Sequence, residues 1–336
     1  MSTRILLAVT IAIGTGIALS GQTPAAAKAT PSKNFTPPKT PWGDPDIQGL
    51  WPGNVQIPVE RDKKLGERAT LNADELAERE KRAKGQTGRN FGIEYFPASP
   101  QASLVVDPKD GRLPPMTPEA QKRMHDMRDG LGPPTLATPD TRANWVDDFD
   151  LWGRCITKGI LGSMIPGNFY NKGNQIIQAP GYVVIRNEMV HENRIIPLDG
   201  RPHVNSNIKE YMGDGRGHWE GNTLVVETTN FKDNIGMNGF NQSHTTDQLK
   251  VVERIKLASP TELSYDVTIT DPGTWTRPWT MHIPYTRDNT YQLYEYACHE
   301  ANYDLLNILR GAREDEKNGI DRSKRKATGR IAQPPE

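Results

Sequence analysis

The sequence has no excess of charge of either sign, because 41 lysines and arginines balance 41 aspartates and glutamates. A chain without net charge lacks the electrostatic attraction that draws proteins to nucleic acids and anionic membranes, so neither partner is expected. Hydrophobic residues are also scarce, at 35% of the chain, which is below the usual share for globular domains. The 30 glycines and 27 prolines predict many loops and much extended chain.

Long hydrophobic runs are absent apart from one, the fifteen residues from Ile5 to Leu19, which follow Arg4. A membrane-spanning helix needs about 20 apolar residues, so this run is too short. Small residues that include Ala25–Ala27 follow it and offer a cleavage site. The arrangement predicts a secretory signal peptide over residues 1–27, with an uncleaved anchor as the alternative. We therefore expect a periplasmic or secreted protein whose mature form has no membrane span.

Cysteine is nearly absent, since only Cys155 and Cys298 occur. In an oxidising compartment such a pair either forms one disulfide or stays buried as two thiols, and the sequence leaves both alternatives open. A catalytic thiol is disfavoured there, because an exposed thiolate is readily oxidised.

Short motifs for metals and cofactors are missing as well. The seven histidines include no H-x-H or H-E-x-x-H spacing, so no metal site is predicted, although a site built from distant histidines is the alternative. The chain also lacks a nucleotide-binding or haem motif, and no cofactor is expected.

The first half of the chain predicts an arm that wraps over a larger body. Residues 28–150 are rich in proline, which is excluded from helix interiors and central strands. Two surface helices interrupt this arm. Asn72 and Glu75 form a capping pair before a charged helix over residues 73–84. A second helix begins at Thr117-Pro118-Glu119 and runs to about Arg128.

Residues 151–300 show the two-residue period of β-strands, interrupted by short turns. The pattern predicts about nine strands without helical crossovers, over residues 175–178, 182–191, 193–198, 217–220, 223–230, 248–257, 262–271, 279–285 and 291–297. Such a meander is antiparallel, and closure removes its exposed edges. We predict a mainly β protein with a lipocalin-like antiparallel β-barrel; a two-sheet sandwich is the alternative. Residues 301–336 form a C-terminal helix, about Tyr303–Arg313 with its leucines on the core side, and a charged tail.

Two charged residues interrupt the apolar phase of the predicted strands. Glu253 shares a face with Val251 and Ile255, and Arg277 lies in phase with Trp275 and Trp279. A buried charge costs several kcal/mol unless it is paired, so the two could pair inside the barrel. They could hold a polar ligand or act as an acid or base, or they could form a structural salt bridge. A register slip that places both outside is a further alternative.

Histidine is the residue that best transfers protons at neutral pH. His191 and His299 are each followed by glutamate and lie at or just beyond strand ends, where a barrel mouth admits ligands. We predict that His191, His299 and Glu253 are catalytic. The glycine-rich stretch 154–167 is either a lid with Tyr170 at its hinge or a connecting loop. The predicted substrate-binding residues are Arg277, Trp219, Trp275, Trp279, Tyr296, Arg154 and Tyr170.

Several long motifs resemble a largely uncharacterised family of secreted bacterial proteins. They read RCITKGILGSMIPG, GYVVIRNEMVHENRIIPLDGRPH, MGDGRGHWEGNTLVVETTNF, DPGTWTRPWTMHIPY and YEYACHEANYDLLNILRGAR. The resemblance covers roughly residues 44–315 and implies a shared fold, but it carries no assigned activity to this chain.

Three functions agree with these patterns. The first is a cofactor-independent acid–base enzyme, either a lyase, a decarboxylase or a hydrolase, that acts on a small aromatic or hydrophobic compound. The second is a periplasmic carrier of a small hydrophobic ligand, and the third is a non-catalytic envelope module with a filled barrel. A small molecule is the expected partner of the first two, and the oligomeric state stays open.

Overall fold

The computed structural model describes residues 35–53, 56–86, 96–128, 145–149, 151–165, 170–233, 235–236 and 245–320. Every one of them belongs to the unit Pro31–Glu336. The predicted signal peptide, and the predicted tail beyond residue 320, lie outside the described residues. None of the helices in the described part of the chain has the length and apolar character that crossing a membrane requires.

The protein is mainly β, with strands arranged in two antiparallel sheets. The strands are β1 (Gly49–Leu50), β2 (Val105–Asp107), β3 (Asn174–Ala179), β4 (Tyr182–Asn187), β5 (Asn193–Pro197), β6 (Asp214–Glu220), β7 (Thr223–Thr229), β8 (Lys250–Ser259), β9 (Glu262–Thr270) and β10 (Trp279–Thr286). One sheet has the order β1-β3-β4-β5 and the other the order β2-β10-β9-β8-β7-β6. The proline-rich arm therefore supplies one edge strand to each sheet.

Three helices accompany the sheets: α1 (Ala73–Gln86), α2 (Pro118–Arg128) and α3 (Asp304–Lys317). The predicted cap of α1 is present, because Asn72 and Glu75 each accept the backbone N–H of the other at 2.9 Å. The C-terminal helix is also confirmed, but its expected packing is wrong. Within α3, all of which the structure describes, no residue is buried, and Leu306 is 45% exposed.

The inner faces of both sheets meet in one core. The period-two pattern of β8, β9 and β10 buries alternate residues, as expected for strands with one solvated face. The largest fully buried side chains include Trp51, Trp275, Trp279, Tyr265 and Tyr285. Trp51 comes from the arm, next to β1, so the arm is part of this core.

The ladders of the described strands do not close into a barrel. β5 lies beside β6, but no hydrogen-bond ladder joins them among the described residues. Gly217 on β6 permits this close approach, since a Cβ there would lie 2.9 Å from Ile196 and 2.6 Å from Leu198. The coarse prediction of antiparallel β structure with a C-terminal helix is confirmed.

The ninth predicted strand is wrong, because residues 291–297 form no strand. Two backbone groups of this segment bond to side chains, and others form local turns within the segment and just beyond it. The N–H of Tyr294 donates to the Glu188 carboxylate at 3.3 Å, and the carbonyl of Tyr296 bonds to the ring of His191 at 3.0 Å. A pattern of alternating residues cannot show which partner the backbone finds.

Candidate functional site

Four irregular segments meet at one end of the four-stranded sheet: residues 151–165, 170–173, 188–193 and 291–303. We call them together the clasp. Cys155 and Cys298 join two of these segments by a disulfide, with their Cα atoms 5.7 Å apart. Asn302 adds a hydrogen bond to the carbonyl of Gly153 at 3.2 Å. Of the two alternatives for the cysteines, the structure has the disulfide.

Left-handed backbone conformations concentrate in the clasp. Seven non-glycine residues among those described have positive φ, and six of them lie in the clasp: Cys155, Leu161, Asn171, Val190, His191 and Ala301. Val190 has φ 59° and His191 has φ 46°. Positive φ in a β-branched residue such as valine is a true outlier. Such conformations cost about 1–3 kcal/mol each and gather at functional sites, so they mark the clasp as the candidate site.

Glu188 connects the strained turn to two other segments of the clasp. Its carboxylate is buried and accepts four hydrogen bonds, from Asn171 Nδ2 at 2.8 Å, the N–H of Gly173 at 3.2 Å, the Tyr291 hydroxyl at 2.6 Å and the N–H of Tyr294 at 3.3 Å. These bonds hold residues 171–173 and 291–294 against the turn that carries His191.

The ring of His191 is exposed and anchored at one nitrogen. Its Nδ1 lies 3.0 Å from the carbonyl oxygen of Tyr296. A carbonyl oxygen only accepts, so in the neutral ring Nδ1 carries the hydrogen and Nε2 keeps its lone pair. β4 ends at Asn187, and the strained turn that follows directs His191 outward, in contrast to its apparent apolar phase. The arrangement offers a proton acceptor to solvent.

Two tyrosines of the clasp connect to this histidine through the backbone of Tyr296. Tyr170 is hydrogen-bonded to Tyr296, and partial burial, aided by Tyr296, raises the pKa of Tyr170 to about 12. The phenol of Tyr170 therefore stays protonated at neutral pH and can donate a hydrogen bond. The structure thus brings together Tyr170, Tyr296 and His191, three of the residues predicted from the sequence.

A buried polar row lies beneath the clasp and runs from β3 and β4 of the smaller sheet to the turn before β5. Asn174 on β3 pairs with Asn187 on β4, and the N–H of Asn187 donates to the carbonyl of Glu192 at 2.8 Å. Glu192 Oε1 accepts the N–H of Lys158 at 2.6 Å. Burial raises the pKa of Glu192, and the Thr157 hydroxyl and the N–H of Lys158 lower it less.

Gly162 packs against the side chains of Asn187 and Glu192. We expect Gly162→Ala to destabilise the fold by about 2–4 kcal/mol. The glycine has φ +56°, and a Cβ there would overlap Glu192 Oε2 and Asn187 Oδ1. Gly221→Ala is the matched control, because Gly221 has φ +59° and open space around it. It should cost about 1–2 kcal/mol. Equal losses in chemical denaturation would contradict the predicted overlap.

The stretch predicted as either a lid or a connecting loop is packed into the core over its described residues. Ile160, Leu161, Met164 and Ile165 are all at most 2% exposed. The hydroxyl of Tyr285 on β10 donates to the carbonyl of Met164. Arg154 at its start bonds to Asp147 at 2.8 Å, and residues 166–167 lie outside the described residues.

Glu253 points inward as predicted, but its expected partner is wrong. Both carboxylate oxygens of Glu253 bond to the guanidinium of Arg194 on β5, and the Tyr265 hydroxyl donates at 2.6 Å. Burial lowers the pKa of Arg194, but the Glu253 carboxylate raises it by more, so the pKa of Arg194 lies above its ordinary value. Arg277 is exposed and bonds to Asp107 at 3.0 Å. It lies in the turn before β10, where the two-residue period does not apply.

The predicted aromatic walls lie outside the clasp, apart from Tyr170 and Tyr296. Trp275 and Trp279 are buried in the core and pack edge-on, with ring centroids 5.4 Å apart. Trp219 lies partly buried at the hairpin of β6 and β7. His299 is exposed within the clasp, next to the disulfide.

Sequence reasoning missed several polar residues of the site: Asn174, Asn187, Glu188, Glu192 and Arg194. A signal existed for Asn187, which shares the phase of Val183 and Ile185 on β4. Arg194 likewise shares the buried phase of Ile196. Ile195, between Arg194 and Ile196, is apolar but exposed. It obscured the alternation in this strand, so the inward position of the Arg194 side chain was not predicted.

Comparisons with known proteins add no assignment to this geometry. Among the described residues, no three His, Cys, Asp or Glu side chains gather as a metal site requires. No protein-family model matches the chain, and no curated protein matches it.

Proposed function

We propose that the protein is an exported, cofactor-independent acid–base enzyme whose active site is the clasp. It would be a lyase, decarboxylase or hydrolase that acts on a small aromatic or hydrophobic compound. The observation that carries this proposal is the anchored ring of His191, which sits on a strained turn and keeps Nε2 open to solvent. Enzymes hold catalytic histidines in this way, with one nitrogen fixed and the other available.

Four residues of the clasp and one residue of the core have roles in this proposal. Nε2 of His191 accepts a proton from the substrate, and the phenol of Tyr170 donates a hydrogen bond to oxygen on which negative charge develops. Tyr296 supplies ring surface and the anchoring carbonyl. His299 remains the second predicted proton-transfer residue. Glu253 supports the site from within the core, because Arg194 and Tyr265 occupy its oxygens.

The test is turnover of a metabolite mixture by the purified full chain. We expect His191→Ala to reduce turnover about a hundredfold or more, because general base catalysis contributes at least that much. His218→Ala is the matched control, since His218 is exposed on β6 and pairs with Glu220 outside the clasp. It should retain full turnover.

The same experiment separates the rival functions. Unchanged turnover in both His191→Ala and His299→Ala would overturn the catalytic assignment. Binding without turnover by the wild type would favour the carrier. Neither binding nor turnover would favour the non-catalytic module, which the aromatic core of Trp51, Trp275 and Trp279 supports.

We also propose that the two sheets form one lipocalin-like barrel with a seam between β5 and β6. The bond from Arg194 on β5 to Glu253 on β8 supports this, because it crosses from one sheet to the other. A hydrogen-bond ladder between β5 and β6, detected by solution NMR, would support the barrel, and its absence would support the sandwich. The disulfide supports export, since such bonds persist mainly in oxidising compartments.

A further inference from the structure

The hydrogen bonds of the buried polar row run in one direction. Asn174 Nδ2 donates to the carbonyl oxygens of Trp51, at 3.2 Å, and Lys172, at 3.1 Å. Backbone carbonyls only accept, so this amide cannot be turned around without losing both bonds. Its Oδ1 therefore faces Asn187 and accepts from Asn187 Nδ2 at 2.6 Å. Asn187 Oδ1 must then point to the other end of the row.

That end of the row brings two acceptors together. Asn187 Oδ1 and Glu192 Oε2 are both buried, and neither atom has a hydrogen-bond partner among the described residues. Both atoms adjoin the same point, since a Cβ at Gly162 would overlap both. Leaving a buried acceptor unsatisfied costs about 1–3 kcal/mol. A proton on one of the two oxygens satisfies both, and an amide oxygen is not the one that holds it.

We propose that Glu192 is a neutral carboxylic acid in the native protein and donates its Oε2–H to Asn187 Oδ1. This proton completes the row and holds the C-terminal side of the turn that carries His191. Glu192 is therefore a positioning residue for the proposed active site, and only this last step rests on the proposed function.

Three groups near the carboxyl of Glu192 favour its charged form: the Thr157 hydroxyl and two cations. Lys158 places its ammonium over the ring of Trp152, and Arg194 is bound by Glu253. Both lower the pKa of Glu192, but burial raises it more.

Glu188, on the other side of the same turn, shows the opposite arrangement. Four donors surround its carboxylate: an amide NH₂, two backbone N–H groups and a phenol hydroxyl. The two buried glutamates that flank this turn thus have different surroundings, with four donors at Glu188 and an acceptor beside Glu192.

The consequence is a stability that depends on pH. The pKa of Glu192 is raised in the folded state above its ordinary 4.5. The folded protein therefore binds the proton more tightly than the unfolded chain does, and the stabilisation is complete below pH 4.5. It is lost as the pH rises through the folded pKa, because a carboxylate then faces Asn187 Oδ1. The turn loosens, and the bond from His191 to Tyr296 weakens.

Glu192→Gln tests the proposal in the full chain, because the amide donates to Asn187 at every pH. We expect the Tm of the wild type, relative to that of Glu192→Gln, to fall as pH rises. In the infrared difference spectrum of wild type minus Glu192→Gln we expect a protonated carboxyl band. In nitrogen NMR the Nδ1–H tautomer of His191 should persist to higher pH in the variant. Glu188→Gln is the control, and it should lose Tm at all pH values.

The outcomes separate this inference from the proposed function. A missing carboxyl band, or a Tm difference that does not change with pH, would overturn the protonated Glu192, even if His191→Ala were inactive. A band that is present together with full turnover in His191→Ala would support the protonated acid and reject the proposed enzyme. A His191 tautomer that is unaffected by Glu192→Gln would overturn the positioning role.

Discussion

Replacing Arg194 by methionine is expected to destabilise the protein by about 3–5 kcal/mol, the loss typical of breaking a buried ion pair. Glu253 is fully buried, and Arg194 bonds to both of its oxygens. The variant leaves a carboxylate in the core with only the Tyr265 hydroxyl as its partner. Chemical denaturation at neutral pH measures the loss. Arg186→Met is the matched control, because Arg186 is exposed on the outer face of β4, and it should change stability by less than about 0.5 kcal/mol.

The double variant Arg194→Met/Glu253→Leu separates the cost of a lone charge from the value of the pair. Removing both charges eliminates the uncompensated carboxylate, and such replacements are often neutral or stabilising. We expect the double variant to recover most of the stability that Arg194→Met loses. A double variant as unstable as the single one would contradict this account and would indicate that the pair itself stabilises the two sheets.

Removing the disulfide is expected to lower the free energy of unfolding by a similar amount. Cys155 and Cys298 are separated by 143 residues, and a loop of this length gives about 5 kcal/mol in the chain-entropy account. We expect Cys155→Ser/Cys298→Ser to lose about 3–5 kcal/mol in chemical denaturation, since engineered and natural disulfides often contribute less than that limit.

The disulfide variant should also disturb the proposed active site. Tyr296, whose carbonyl anchors His191, lies two residues from Cys298. We expect weaker anchoring and lower turnover in the variant. Reductant added to the wild type is the control and should reproduce both effects, whereas it should leave the variant unchanged. Full stability of the reduced wild type would contradict the prediction.

Eight of the nine predicted strands are present, and six of them bury alternate residues along their own length: β3, β4, β5, β8, β9 and β10. The two-residue period of β8 places Glu253 on the same face as Val251 and Ile255, so the sequence alone predicts its inward position. The capping pair of α1 and the start of α2 were also visible, because the residues of a helix cap are neighbours in the chain.

The partners of these residues were not visible. The acid Glu253 pairs with Arg194, 59 residues earlier in the chain, and period-two reasoning chose Arg277 because it stands in phase with two tryptophans. The segment 291–297 alternates in the same way as a strand, but the Glu188 carboxylate and the His191 ring take its backbone groups. In both cases a side chain that is distant in sequence competed with the local pattern.

The sequence by itself determined the antiparallel β character, the helices predicted over residues 73–84 and from Pro118 to about Arg128, and the inward position of Glu253. These depend on periodicity and on capping, which act between near neighbours. Only the tertiary structure decided the disulfide, the strained clasp around His191 and the hydrogen-bonded row that ends at Glu192. The physical reason is that these features need contacts between residues that are not near neighbours in the chain, such as Asn174 with Trp51 and Cys155 with Cys298.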